Sequence, residues 1–185
     1  MTTLEEENFD HVVLVDPDDS PVGTLEKHLA HADGGILHRA FSVFILNDRG
    51  ELLLQRRANA KYHCAGLWSN SCCSHPREGK DVADDARTRL QVELGFSTDL
   101  EFIGHCTYKV AVNPGLTEWE LDHLYVGNYF GEMRLNPAEV DSIRWCRIDT
   151  LQNELLDQPD QFTPWLPHIL PAFADWIRRH DCPVG

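Results

Sequence analysis

The segment at residues 68–76 concentrates reactive side chains in a short stretch of chain. It reads Trp-Ser-Asn-Ser-Cys-Cys-Ser-His-Pro. An unperturbed thiol has a pKa of about 8.5 and an imidazole one of about 6.5, so Cys73 and His75 suit proton exchange or metal binding near neutral pH. The same residues also suit a buried cysteine pair beside a turn, because free cysteine is often buried. The segment alone leaves both interpretations open.

Histidines and glutamates elsewhere in the chain suit a divalent cation. Histidines occur at positions 28, 31 and 38, and Glu118 and Glu120 flank Trp119. Side chains two residues apart in an extended chain share a face, so both carboxylates would reach one site. Imidazole and carboxylate ligands together suit Mg²⁺, Mn²⁺ or Zn²⁺. Each histidine taken singly also fits an ordinary surface or core position, so the spacing alone does not decide for a metal.

The net charge of −14 argues against nucleic acid or an acidic membrane surface as a partner, because both require a basic face. An anionic ligand would therefore need a local group of cations. The chain offers one, which contains Lys27, Arg56, Arg57, Lys61, Arg87 and Arg89. A solvated basic patch is the alternative interpretation of this group.

The composition is that of an ordinary globular chain. Its 185 residues, 42% hydrophobic and 25% charged, are enough for one core and one domain. No run approaches the ~18 apolar residues of a membrane span. Residues 1–10 form an acidic extension, which we expect to be mobile, and they lack the basic residues of a signal or transit peptide. We therefore expect a cytoplasmic protein whose six cysteines are free thiols.

The elements that would position these groups follow from periodicity and turn residues. Asp81 and Gly95 mark the caps of a helix at residues 82–94, and apolar spacing predicts a second, proline-interrupted helix at 165–177. Residues 57–76 show no period, and a loop of that length in a compact domain is usually functional. Strands are predicted at residues 11–15, 41–46, 51–55, 100–112, 121–130 and 143–148. This order indicates an α+β or α/β/α single domain.

Several segments together, in one order from about residue 12 to residue 176, resemble type I isopentenyl-diphosphate delta-isomerase. These segments are residues 23–27, 38–42, 54–58, 68–76, 92–95 and 117–120. The resemblance implies a single-domain Nudix-type α/β/α sandwich over residues 1–185, of the α/β (α+β) class. It also implies an enzyme of isoprenoid synthesis that interconverts isopentenyl diphosphate and dimethylallyl diphosphate. We expect it to act as a monomer on these small molecules, without nucleic acid or membrane.

The resemblance also assigns roles to matching positions. Cys73 resembles the catalytic thiol, Glu120 the catalytic carboxylate across the double bond, and Tyr108 a pocket residue suited to relay a proton. The implied metal ligands are His31, His38, His75, Glu118 and Glu120, with Glu93 as a ligand of the Mg²⁺ that accompanies the diphosphate. The implied substrate-binding residues are Lys27, Arg57, Lys61, Arg89 and Trp165. Cys72 occupies a variable position of the motif, and His28 falls outside the site.

The chemistry of the implied reaction fits these residue types. Moving a double bond by one carbon requires a proton donor and a proton acceptor on opposite sides of the alkene, in a dry pocket. Protonation creates tertiary carbocation character, and an indole face such as that of Trp165 stabilises a cation by about 0.5–2 kcal/mol. A core position on an amphipathic helix is the other interpretation of Trp165.

Two alternatives stand beside the isomerase. Nudix hydrolases carry Arg-Glu-apolar-x-Glu-Glu-x-Gly along the helix that here ends Thr-Arg-Leu-Gln-Val-Glu-Leu-Gly at residues 88–95, where only Glu93 keeps an acid. A diphosphohydrolase would need those missing carboxylates to gather metal at the bond that it cuts. The other alternative is a structural metal module built from Cys64, Cys72, Cys73 and His75, which would unfold on chelation.

Overall fold

A computed structural model of the chain describes residues 9–180, where nine strands form one sheet and four helices pack on it. Most of the predicted N-terminal extension and Cys182 lie outside these residues. The strands are β1 (His11–Val15), β2 (Pro21–Glu26), β3 (His38–Leu46), β4 (Leu52–Arg57), β5 (Trp68–Ser69), β6 (Cys72–Ser74), β7 (Leu100–Asn113), β8 (Leu116–Asn128) and β9 (Val140–Cys146). The helices are α1 (Lys27–His31), α2 (Val82–Leu94), α3 (Ile148–Asp157) and α4 (Leu166–His180), with a 3₁₀ turn at Pro159–Gln161.

Strand β3 is the centre of the sheet. It runs parallel to β8 along its whole length, from His38 opposite Glu120 to Leu46 opposite Asn128. It also makes antiparallel pairs with β1, β4 and β6. Its near-continuous apolar sequence is typical of a strand that is covered on both faces.

Alternate residues of β3 supply the two halves of the core. Phe41, Val43 and Ile45 pack with Leu90 and Leu94 of α2 on one face. On the other face Phe44 packs with α3 and α4, and its ring stacks on Phe173 with centroids 4.4 Å apart. Helices therefore cover both faces of the sheet, which confirms the predicted α/β/α sandwich.

Helix α2 has the predicted bounds because both of its ends are capped. The Asp81 side chain accepts hydrogen bonds from the backbone N–H groups of Ala83 and Asp84, at 2.9 and 3.1 Å. Gly95 ends the helix with φ of +77°, a left-handed conformation that glycine adopts without a side-chain clash.

Helix α4 begins one residue later than predicted. Pro167 lies in its first turn, where the missing N–H is harmless because the first turn has no helical acceptor for it. Pro171 lies inside the helix. The helix persists because Leu166, Ile169 and Phe173 are fully buried along one face.

The main differences from the sequence prediction concern short or polar elements. Strands β5 and β6 lie within the predicted loop at 57–76, but two and three residues are too few to show a period. Strand β8 begins at Leu116, so Glu118 and Glu120 lie inside the strand instead of before it. The elements β2, α1 and α3 were not predicted, since β2 is mostly exposed and contains Pro and Gly, which disfavour strands.

Candidate active site

Five buried side chains converge on one point at the edge of the β3–β8 pair. They are His31, His38, His75, Glu118 and Glu120, and one ligand atom from each lies within 4.8 Å of all the others. The fold explains the convergence: His31 ends α1, His38 begins β3 opposite Glu120, and His75 follows β6 on the neighbouring side of β3. The structure thus brings together the five ligands implied by the resemblance.

The nitrogen and oxygen atoms of this cluster are better placed to coordinate a cation than to hydrogen-bond with one another. His31 Nε2 and Glu118 Oε2 are 2.8 Å apart, yet neither atom has a hydrogen-bond partner of acceptable geometry among the described residues. His38 Nδ1 donates to the Ile36 carbonyl oxygen at 2.7 Å, which leaves a lone pair on Nε2 in the neutral ring. That Nε2 lies 3.2 Å from Nε2 of His75. Three imidazole nitrogens and two carboxylates fit a divalent metal ion.

The electrostatics of the cluster favour a neutral ring for His75 and an ionised carboxylate for Glu118. Burial lowers the pKa of His75 to about 4, so its ring is unprotonated at neutral pH. Burial opposes ionisation of Glu118, but the adjacent imidazoles of His31 and His63 lower its pKa well below the usual range. For His38, burial acts against protonation, yet the neighbouring Glu120 raises its pKa. Lone pairs and negative charge are what a metal ion requires.

The two adjacent cysteines have different environments. Cys73 lines a pocket together with Glu120, while Cys72 is fully buried in the core between the sheet and α2. The alternation of side chains along β6 produces this separation. Burial raises the pKa of the Cys73 thiol above its usual range, so it holds its proton at neutral pH.

Tyr108 and Glu120 form a hydrogen-bonded pair in the same pocket. They lie opposite each other in the β7–β8 register, and the Tyr108 hydroxyl donates to Glu120 Oε2. The other carboxylate oxygen, Oε1, lies 2.8 Å from His75 Nε2. Burial raises the pKa of Tyr108 well above its ordinary value, so the phenol remains protonated. One carboxylate thus contacts both the phenol and the cluster of imidazoles.

The predicted cations separate into two groups. Lys27, Arg57, Lys61 and Arg89 line the pocket. Arg56 is exposed and donates to the Gly66 carbonyl, and Arg87 pairs with Asp84 on the outer side of α2. Arg57 is buried, and its Nε has no hydrogen-bond partner within residues 9–180. A buried donor without an acceptor is costly unless a ligand supplies one.

Trp165 is buried at the wall of the pocket, as the resemblance implies. It is 3% exposed, and the guanidinium of Arg57 lies 5.3 Å from the centre of its ring. The indole N–H points to Asn70 Oδ1 at 3.4 Å. Trp165 therefore supports Arg57 as well as bounding the space where a ligand would lie.

Comparison with known proteins identifies the family. The NUDIX domain model matches residues 36–173. A relative from Serratia proteamaculans (strain 568), named isopentenyl-diphosphate Delta-isomerase, is 46% identical over 159 residues, covering 86% of this chain and 88% of the relative. A relative of the same name from Halorhodospira halophila (strain DSM 244 / SL1) is 44% identical over 172 residues, with coverages of 91% and 98%. The chain belongs to the isopentenyl-diphosphate Delta-isomerase family, within the Nudix fold.

Solved structures agree with the fold assignment. DR0079 from Deinococcus radiodurans superimposes with a TM-score of 0.69 at 15% identity, over 93% of this chain and 99% of that one. The MutT protein from Methanosarcina mazei Go1 gives a TM-score of 0.61 at 15% identity, over 79% and 96%. At these identities the likeness shows the Nudix fold alone. Among the described residues, no helix has the length and apolarity needed to cross a membrane.

Membership in the isomerase family agrees with the chemistry of α2. Glu93 accepts from Arg89 Nη2 at 2.5 Å and from Gln55 Nε2 at 3.0 Å, so both of its oxygens already have donors. It lies apart from the His/Glu cluster. Within residues 88–95 Glu93 is the one acid, and it is paired with an arginine, so this part of α2 lacks the acidic surface that Nudix hydrolases present there.

The sulfur-rich metal module that was the other alternative does not form in residues 9–180. Cys72 lies in the core, and Cys64 lies in a separate core cluster, where its thiol is 3.6 Å from the Val112 carbonyl oxygen. In this part of the chain, the group of side chains placed to hold a metal contains no cysteine.

Four further residues at the site were not identified from the sequence. Glu139 pairs with Lys61 and also with Arg89 at 3.2 Å, and it lines the pocket. Asp122 is fully buried and accepts from Ser42 Oγ at 2.7 Å. Tyr62 contacts His31 and His63 contacts Glu118, both in the His/Glu cluster. Asp122 follows Glu118 and Glu120 at alternate positions, so in one strand all three side chains share a face. A strand predicted to begin at residue 121 contains only Asp122 of the three and does not show this pattern.

Proposed function

We propose that this chain interconverts isopentenyl diphosphate and dimethylallyl diphosphate in the pocket lined by Cys73 and Glu120, as a step of isoprenoid synthesis. The observation that carries the proposal is that one pocket holds the protonated thiol of Cys73, the Glu120 carboxylate and four cations. The cations match a diphosphate, and the thiol and carboxylate match a pair of proton transfers. Family membership gives the proposal independent support.

The proton transfers are assigned to Cys73 and Glu120. A proton is added to the terminal CH₂ carbon of the alkene, which leaves carbocation character on the branch carbon. Loss of a proton from the CH₂ group on the other side of the branch carbon then forms the new double bond. One of the two residues, Cys73 or Glu120, donates the first proton and the other accepts the second. Tyr108 relays a proton through its hydrogen bond to Glu120. The face of Trp165 is proposed to stabilise the cation.

The diphosphate takes no part in the bond change, so its binding energy serves to position the alkene. Lys27, Arg57, Lys61 and Arg89 are proposed to hold it. The unpaired Nε–H of Arg57 is the strongest support, because a phosphate oxygen would satisfy a buried donor. The proposed Mg²⁺ that accompanies the diphosphate would also need ligands, and Glu93 remains a predicted one.

A divalent cation, Mn²⁺, Mg²⁺ or Zn²⁺, is proposed at His31, His38, His75, Glu118 and Glu120. When bound, it would place positive charge beside Glu120 and stabilise the ionised carboxylate. The convergence of five buried ligand atoms, together with the lack of a hydrogen-bond partner for His31 Nε2 and Glu118 Oε2 among the described residues, supports the proposal. We further propose a cytoplasmic monomer that acts on small diphosphates, without nucleic acid or membrane.

The test is to incubate purified protein with isopentenyl diphosphate and Mg²⁺ in D₂O and to identify the product by NMR. Dimethylallyl diphosphate that carries deuterium in its methyl group is expected. Release of phosphate from nucleoside diphosphates, with no isomerised product, would instead establish the diphosphohydrolase.

A further inference from the structure

The connection between β4 and β5 places two consecutive side chains against ligands of the metal cluster. The hydroxyl of Tyr62 lies 3.2 Å from His31 Nδ1, and His63 Nε2 lies 2.8 Å from Glu118 Oε1. His31 belongs to α1 and Glu118 to β8, so this one connection contacts ligands from two different elements. Tyr62 contacts Nδ1 of His31, whose Nε2 faces Glu118. His63 contacts Oε1 of Glu118, whose Oε2 faces His31.

The direction of each hydrogen bond follows from what the other atoms of the two ligands bind. His31 Nε2 lies on the cluster side, beside Glu118 Oε2, and in the proposed metal centre it gives its lone pair to the ion. The proton of the neutral His31 ring then belongs on Nδ1 and is donated to the Tyr62 oxygen. A carboxylate has no proton to give, so His63 donates through Nε2 to Glu118 Oε1. His63 Nδ1, which has no partner among the described residues, then bears the lone pair. The two hydrogen bonds therefore orient His31 and Glu118 so that Nε2 of one and Oε2 of the other point into the cluster.

The connection is itself fixed in place. Arg57 Nη2 donates to the His63 carbonyl oxygen at 3.1 Å, and the Cys64 N–H donates to Asn113 Oδ1 at 3.1 Å. The first bond ties His63 to a cation of the proposed diphosphate site, and the second ties the connection to the end of the β7–β8 hairpin. Because the connection is already fixed, Tyr62 and His63 lose little conformational entropy when they orient His31 and Glu118.

We propose that Tyr62 and His63 are positioning residues of the metal centre, which fix the tautomer of His31 and the orientation of the Glu118 carboxylate. The inference rests on the proposed metal centre but not on the reaction catalysed there. Outer partners of metal ligands change metal affinity by about 10- to 100-fold when they are removed. His63 is 7% exposed and Tyr62 is 41% exposed, so water replaces the lost partner more readily at Tyr62. Loss of His63 should therefore have the larger effect.

The test measures metal affinity in the absence of substrate. Metal-free protein is titrated with Mn²⁺ or Zn²⁺ by calorimetry, with chelator competition where binding is tight. We expect His63→Ala to weaken binding by about 10- to 100-fold and Tyr62→Phe by about tenfold or less. His63→Gln restores an N–H donor at a similar reach and should recover most of the affinity. In Co²⁺-loaded protein, the visible absorption bands of His63→Ala should shift, and those of His63→Gln should return toward the wild type.

Two controls remove comparable bonds elsewhere in the chain. His123→Ala deletes a histidine–carboxylate contact of the same 2.8 Å length, to Asp19, and Tyr129→Phe deletes a hydroxyl bond to the Glu132 carbonyl. Both controls should bind metal as the wild type does. Metal affinities within twofold of the wild type for folded His63→Ala and Tyr62→Phe would overturn the inference, as would wild-type protein that binds no metal. If the affinities change as expected in a protein that does not isomerise the substrate, the proposed function fails and this inference stands.

Discussion

The two neighbouring cysteines give a direct test of the chemistry at the residue scale. Cys73→Ala is expected to abolish most isomerisation with little change in melting temperature, because the thiol faces a pocket. Cys72→Ala should keep most of the activity and lose stability by about 1 kcal/mol, since it removes buried volume from the core. Steady-state rates and thermal melts of both variants measure the difference. Equal loss of activity in two folded variants would contradict the assignment to Cys73.

Variants of Arg57 and Lys61 test, also at the residue scale, whether these cations bind the diphosphate. Loss of either charge should raise the KM for isopentenyl diphosphate, because a charge-assisted hydrogen bond contributes about 1.5–3 kcal/mol, or roughly tenfold to a hundredfold. Arg57→Ala should have the larger effect, because Arg57 is buried with an unpaired donor while Lys61 already pairs with Glu139. Some loss of kcat is expected too, since binding energy also positions the alkene.

The matched control for these variants is Arg56→Ala, which removes an exposed arginine beside Arg57 in the sequence. Its KM should equal that of the wild type. Unchanged kinetics in an Arg57→Ala/Lys61→Ala double variant, measured across a full substrate titration, would remove the cations from the site.

At the scale of elements, the sequence predicts the bounds of a helix well where residues next to it in the chain cap its ends. Asp81 and Gly95 determine the bounds of α2 through side-chain capping and a left-handed residue, and both signals are visible in the sequence. The strand β8 was predicted too short because Thr117, Glu118 and Glu120 are polar, while burial of those acids depends on distant histidines. Contacts such as that of His63 with Glu118 join residues far apart in the chain, so periodicity gives no sign of them.

The cap at Gly95 provides a test of how α2 is held. A Cβ at this position would lie 2.7 Å from the Arg134 carbonyl oxygen, on backbone with φ of +77°. Gly95→Ala should therefore cost the left-handed strain of about 1–2 kcal/mol and a further steric cost of about 1–3 kcal/mol. Gly50→Ala is the matched control, because its φ is +69° and nothing lies within 4 Å of the new Cβ. Urea unfolding should show the larger loss for Gly95→Ala, and equal losses would contradict the close contact with Arg134.

At the scale of the whole molecule, the core and the proposed metal centre are separate structures. The sheet is packed on both faces by helices through residues such as Phe44, Leu90 and Phe173, none of which belongs to the His/Glu cluster. The cluster lies where β3 and β8 begin their pairing and the loops converge. A protein of this kind differs from a small zinc domain, whose folding energy is its metal-binding energy.

Chelation should accordingly inactivate the enzyme without unfolding it. The metal-free protein is expected to keep a single cooperative melting transition, at a lower temperature than the loaded protein, because a ligand that binds only the folded state stabilises it by RT ln(1 + [L]/Kd). At a metal concentration of about one hundred times Kd this amounts to about 2.7 kcal/mol, which is smaller than the stability of about 5–15 kcal/mol typical of folded domains. Calorimetry before and after treatment with chelator, followed by re-addition of Mn²⁺ or Zn²⁺ and an activity assay, measures both properties. Disappearance of the melting transition in the metal-free protein would show that the metal holds the fold together, and the site would then have to be assigned a structural role.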